Sequence, residues 1–179
     1  MVYVFLANGF EETEAIAPID ILRRSGVEVK TVGIGSNLIT SSHKITVTTD
    51  ISEDELTEKN LEAVILPGGM PGTLNLEASA TVQKYIDIAV KKGCYVCAIC
   101  AAPSILGHKN LLNGKKAVCF PGFEKDLEGA VIENLPAVAD GQFITGKGAG
   151  AALEFGLLIS EKLCGKEVSQ KVRKSMQCQ

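Results

Sequence analysis

Histidine is scarce in this chain: His43 and His108 are the only two in 179 residues. Neither stands in sequence beside a candidate nucleophile, so a Cys-His-Asp hydrolytic triad finds little support. His108 follows Gly107 at an expected helix end and reads as a capping or surface residue. Clustered basic charge is missing too. Eighteen Lys and Arg against 21 Asp and Glu leave a net charge of −3, spread without a basic face, which argues against specific nucleic-acid binding and against a polybasic membrane contact. The longest apolar runs are too short to span a bilayer. The N-terminus enters an apolar strand without a basic n-region, a long h-region or a small-residue cleavage site, so a soluble, cytoplasmic protein is expected. Full P-loop and dinucleotide spacings are absent as well; Gly146-Lys147-Gly148-Ala149-Gly150 before a helix resembles an anion cradle and nothing more specific. No internal repeat, low-complexity tract or linker interrupts the chain.

What is present is a large apolar fraction, 46%, enough for one well-cored domain over residues 1–179. Six cysteines in a chain with a full core and no export signal read as reduced thiols. Val2-Tyr3-Val4-Phe5-Leu6 has the pattern of a strand buried on both faces. From Glu11 to Arg24, Ile16, Ile19 and Leu22 recur at helical spacing, with acids in the first turn, Arg23-Arg24 in the last and Gly26 closing the helix. Val27 to Val32 then alternates as a second strand, completing a right-handed β-α-β unit. Leu38-Ile39-Thr40 and Ile45 to Thr48 suggest a side hairpin, and Ser52 to Glu55 a capped short helix. Leu61 to Leu66 reads as another buried strand, stopped by Pro67-Gly68-Gly69. A helix is expected over Ala80 to Lys92, with Val82, Tyr85, Ile86, Ala89 and Val90 inward. Later come a strand from Lys116 to Phe120, a hairpin turning at Asp140-Gly141, and a final long helix from Ala151 to Leu163. The alternation predicts an α/β fold: a three-layer α/β/α sandwich with a mostly parallel sheet.

The chain's focus is Ala98-Ile99-Cys100-Ala101-Ala102-Pro103. An apolar run from Tyr95 ends at Cys100, and Pro103 suits a first helical turn, giving a strand-nucleophile-helix outline. A nucleophile on so sharp a turn needs small neighbours, and Ala98 and Ala102 supply them where the hydrolase elbow has glycines. Helix N–H groups here would lower the thiol pKa and make Cys100 reactive near neutrality.

In an open α/β sheet, ligands bind beyond the carboxyl ends of the strands, which would gather residues 7–14, Pro67 to Gly72 and Cys100 to Pro103. Glu14 admits two readings: a surface acid stabilising a helix N-terminus, or a partner of Cys100. As a partner it could not ionise cheaply beside a thiolate. It would hold the shared proton and exchange it with a carbonyl substrate. Backbone N–H groups near Gly69 and Ala101 are candidate oxyanion donors. Cys94, Cys97 and Cys100 form C-x-x-C-x-x-C, but a strand puts Cys97 on the face opposite Cys94 and Cys100, with the outer two about 20 Å apart. They cannot enclose one metal, and no metal or cofactor is expected.

Taken together, Leu6 to Glu14, Leu66-Pro67-Gly68-Gly69, Ala98 to Pro103, and Gly148-Ala149-Gly150 leading into Glu154-Phe155-Gly156 resemble the ThiJ/PfpI superfamily, in its DJ-one branch of Parkinson disease protein seven-like members. The resemblance implies a flavodoxin-like sandwich, a homodimer, Cys100 as reactive cysteine, Glu14 as its protonated partner, and Gly69 and Ala101 lining the oxyanion site. It also implies cofactor-independent conversion of methylglyoxal or glyoxal to hydroxy acids, or deglycation of their adducts, with redox sensing or chaperone action through oxidation of the same cysteine as the alternative. Peptidase members carry a histidine directly after the nucleophile, and this chain has Ala101. Some members of the branch carry a histidine where this chain has Phe120, a residue that cannot relay a proton.

Overall fold

A computed structural model describes residues 1–178. In chain order the elements are β1 (Val2–Leu6), α1 (Glu12–Arg24), β2 (Val29–Gly33), β3 (Leu38–Thr40), β4 (Thr46–Thr48), β5 (Ile51–Ser52), β6 (Ala63–Leu66), α2 (Gly72–Ala78), α3 (Ala80–Lys92), β7 (Tyr95–Ile99), α4 (Pro103–His108), β8 (Lys116–Ala117), β9 (Val131–Ile132), β10 (Ala137–Asp140), β11 (Phe143–Gly146), α5 (Ala152–Cys164) and α6 (Lys166–Ser175). The main sheet has the order β10-β11-β7-β6-β1-β2-β5. All its pairings are parallel except the edge hairpin β10-β11. This is a flavodoxin-like α/β fold, and the uninterrupted apolar sequences of β1 and β6 follow from burial on both faces.

The period-two alternation of the strands sorts the core. Tyr3, Phe5, Val64, Leu66, Val96 and Ala98 face α2, α3 and α4 through Leu76, Val82, Ile86 and Ile105. Val2, Val4, Leu6, Ile65, Cys97 and Ile99 face α1 and α5 through Ala15, Ile19, Leu22, Phe155 and Ile159. Outside that layer, α6 lays Val172 on Ile21 and Leu157. Among the described residues no helix is long and apolar enough to cross a membrane.

Several expectations are corrected. Ile16 is exposed, whereas Ile19 and Leu22 are buried as the spacing predicts and are joined by Ala15, Pro18 and Ile21, because α1 packs on both the sheet and α5. The edge hairpin turns at Gly141-Gln142, one residue later than expected, since Asp140 pairs with Phe143. The expected strand from Lys116 to Phe120 shrinks to β8, which pairs only with β9. The helix from Ala152 is not final: α6 follows after Gly165. Helix α2, carried by Thr73 and Leu76 as its buried contacts, is too short to show a period. The capped helical turn at 53–55 is present, with the Glu55 carboxylate accepting from the Ser52 N–H at 2.8 Å.

Candidate active site

Parallel strands β1, β6 and β7 end side by side, so the loops that leave them converge at the carboxyl edge of the sheet. After β7 the chain turns at Cys100 with φ +66°. A non-glycine residue in the left-handed region costs on the order of 1–2 kcal/mol, and such strain persists where its surroundings hold it. Here Cys100 N–H donates to the Gly146 carbonyl at 3.0 Å, and its own carbonyl accepts from Phe120 N–H at 2.7 Å. The elbow also overrides strand alternation. Cys94 lies with the α3-side core as expected, but Cys100 packs against the same face as Cys97 rather than the opposite one, because the strand has ended at Ile99 and the backbone rotates. The three cysteines do not converge on a metal.

From the first turn of α1, Glu14 projects inward and is only 1% exposed. The surface-acid reading of Glu14 is thereby removed. Its N–H donates to the Glu11 carboxylate at 2.7 Å, a helix cap from the residue three positions earlier. Its own carboxylate accepts from the Gly68 N–H at 2.9 Å and shares a hydrogen bond with the Cys100 thiol. Gly68 must be glycine: a Cβ there would lie 2.7 Å from both Cys100 Cβ and Glu14 Oε2. The next residue, Gly69, adopts φ +89°, which suits a residue without a Cβ. That conformation aims its N–H at the Cys100 sulfur, where the N–H of Ala101 also points. Gly68 and Glu11 are thus the site residues that sequence reading did not assign; the only signals were the Pro-Gly-Gly break and the acid three places before Glu14.

Burial pushes the Glu14 carboxyl up to about 7; the Cys100 thiol and Gly68 N–H pull against the rise, and the Glu11 charge adds to it. The Cys100 thiol is pushed up to about 12, first by burial, then by the Glu14 charge and by donation to that carboxylate, against the two N–H groups of Gly69 and Ala101. The expected lowering of the thiol pKa is therefore overturned. Helix α4 has only six residues, and its N-terminal field does not offset desolvation plus a neighbouring anion. The Glu14 charge raises the proton affinity of the sulfur it faces, so the two groups do not both ionise near neutrality. Protonating Glu14 removes the second and third causes of the rise and turns the carboxyl into a donor.

His43 pairs with Glu12 at 3.1 Å and His108 with Glu77 at 2.5 Å, and both rings are well exposed. Glu11, Glu12 and His43 place one ligand atom each within 4.8 Å of one another, but the α1 N-terminus beneath the two carboxylates carries partial positive charge that opposes a cation. Beyond Glu14, Gly148 leads to an apolar cleft of about 600 Å³ lined by Phe120, Leu135, Pro136 and Ala149.

Residues 1–162 match the DJ-1/PfpI family. Protein dj-1beta of Drosophila melanogaster is 34% identical over 176 residues, covering 97% of this chain and 94% of that protein. A deglycase of Pyrococcus abyssi is 30% identical over 155 residues, 83% of this chain and 90% of that protein. Among solved structures, an oxidized Toxoplasma gondii DJ-1 superimposes with a TM-score of 0.94 at 29% identity, over 98% of this chain and 97% of that one. With a family match over most of its length and DJ-1 relatives aligned nearly end to end, the chain belongs to the DJ-1/PfpI family.

Proposed function

We propose that this chain is a cofactor-independent glyoxalase or deglycase acting on methylglyoxal, glyoxal or their adducts through Cys100. The observation that carries the reading is the hydrogen-bonded Cys100–Glu14 pair, with the carboxyl near a pKa of about 7, where a general base is most effective at neutral pH. As the sulfur attacks the aldehyde carbon, its proton passes to Glu14, and the N–H groups of Gly69 and Ala101 receive the developing oxyanion. Glu14 then gives that proton to the oxyanion, so the product is a neutral hemithioacetal and the carboxylate is again free to act as a base. Glu14 then moves the proton from the aldehyde carbon to the neighbouring carbonyl carbon, leaving a thioester of the 2-hydroxy acid. Water releases the acid and restores the thiol, so the substrate plus water equals the product and no external oxidant is needed. The deglycase name of the Pyrococcus abyssi relative supports the same chemistry.

Lactate formation from methylglyoxal by the purified protein tests the reading; no lactate above the Cys100→Ser background would reject it. A second reading, redox sensing or chaperone action by oxidation of Cys100, is favoured by the oxidized form in which the Toxoplasma relative was solved. Glu14 would then hydrogen-bond a sulfinic product. Oxidation of Cys100 by stoichiometric peroxide without lactate formation would select it.

The functional unit we propose is a homodimer in the cytoplasm. Six free cysteines fit a reducing compartment. Ile16 on α1 and Leu38 and Ile45 on the side hairpin are exposed apolar residues that a second copy would cover. Light scattering at micromolar concentration is expected to return twice the 18.9 kDa chain mass; a monomer removes the dimer and leaves the site intact.

A further inference from the structure

The cleft beyond Gly148 is large for the small aldehydes considered above. Its volume of about 600 Å³ falls within the range of roughly 300–1,000 Å³ usual for small-molecule sites. Methylglyoxal is little more than a reacting carbonyl pair with a methyl group. Two large apolar side chains, Phe120 and Leu135, line this cleft and are each 47% exposed. Pro121, Pro136, Ala149 and Ala151 extend the apolar lining. Among the described residues Lys147 is the one charged group on it, and its ammonium donates to Asn134 Oδ1 at 2.9 Å. The floor is a strip of residues with little or no side chain.

Continuity with the reacting groups is geometric. Gly148 lines the cleft, and a Cβ on it would lie 3.3 Å from the Phe120 ring and 4.0 Å from Glu14 Oε1. Phe120 in turn is tied to the elbow through its N–H and the Cys100 carbonyl. A carbonyl held at Cys100 therefore has an apolar trough on the Glu14 side, where the substituent on its second carbonyl carbon would lie.

We propose that this cleft binds that substituent, and that the favoured substrates are 2-oxoaldehydes carrying an aryl or long alkyl group. The inference rests on the proposed activity for its chemistry, which is unchanged: substrate plus water gives the 2-hydroxy acid. A single methylene in an apolar pocket is worth roughly tenfold or more in kcat/KM, so phenylglyoxal is expected to exceed methylglyoxal by at least about tenfold.

Steady-state kinetics on both aldehydes, with the wild-type protein and with Leu135→Glu and Ala149→Glu, tests the proposal. Both residues are exposed, so the variants keep the fold. Each variant is expected to lower kcat/KM for phenylglyoxal about tenfold or more while leaving methylglyoxal nearly unchanged. A wild-type preference for methylglyoxal, or equal losses on both aldehydes, would overturn it. Calorimetric titration of wild-type protein with mandelate and with lactate separates the cleft from the chemistry. Tighter mandelate binding that Leu135→Glu abolishes supports the cleft even where neither aldehyde is turned over, a result that would reject the proposed activity alone. Equal binding of the two acids overturns the cleft.

Discussion

Cys97 and Cys100 are three residues apart, share one core face, and differ in almost everything that decides reactivity. Cys97 sits in mid-strand with no exposed surface, and its thiol is pushed up by burial alone. Cys100 is also raised by burial, but two N–H donors and a carboxyl that exchanges protons near neutrality surround it. Burial without polar partners makes a thiol inert. Burial beside a carboxyl and two N–H donors leaves the thiol the polar partners that the proposed nucleophilic chemistry requires.

The sharpest way to break this contrast is paired substitution. Cys100→Ser is expected to lower lactate formation by at least about 10³-fold, as loss of a nucleophile does elsewhere, whereas Cys97→Ser should leave turnover within a few fold and cost about 1–3 kcal/mol of stability through a buried hydroxyl. Similar turnover losses in both, measured with stability by urea titration, would erase the distinction.

Next in size is the base itself. Glu14→Gln keeps a donor but cannot take the thiol proton, and should reduce kcat/KM by about 10²–10⁴-fold; Glu14→Asp, on a shorter arm, should retain part of it. In the wild-type protein kcat/KM should rise as pH climbs toward about 7 and level off above it, because the pair must have lost one of its two protons to react. A flat profile would remove Glu14 from the proton path.

Alkylation refines the comparison further. Mass mapping after limiting iodoacetamide should find Cys100 labelled ahead of the other five thiols, since it alone joins partial exposure to a base and N–H donors. Dominant labelling of Cys164 or Cys178 would contradict that.

The smallest effect concerns stability. Glu14 is raised from 4.5 to about 7 in the folded protein, so the folded state binds this proton more tightly than the unfolded chain. Its contribution is full below the unfolded value and is lost as pH rises through about 7, amounting to about 3 kcal/mol. Urea midpoints between pH 4.5 and 8 should show this decline in the wild-type protein and lack it in Glu14→Gln. An unchanged slope would place the Glu14 carboxyl in a more solvated setting than its burial implies.

Sequence alone determined the layer order and the position of the elbow, because burial on both faces leaves continuous apolar strands and a turn after Ile99 needs small residues on either side. It also brought Glu14, Gly69 and Ala101 to the same sheet edge, since parallel strands must end together. Only the tertiary structure decided how far burial and mutual contact shift their proton affinities. The sign of the Cys100 shift depends on how deeply the sulfur is buried and how near the Glu14 charge lies, and desolvation is a property of packing that no local run of residues encodes. Gly68 and Glu11 stayed hidden for the same reason: a backbone N–H and an acid at a helix start look alike everywhere until the fold puts a carboxylate against them. The six-residue helix after the elbow was legible as a helix, but its weakness against burial was not.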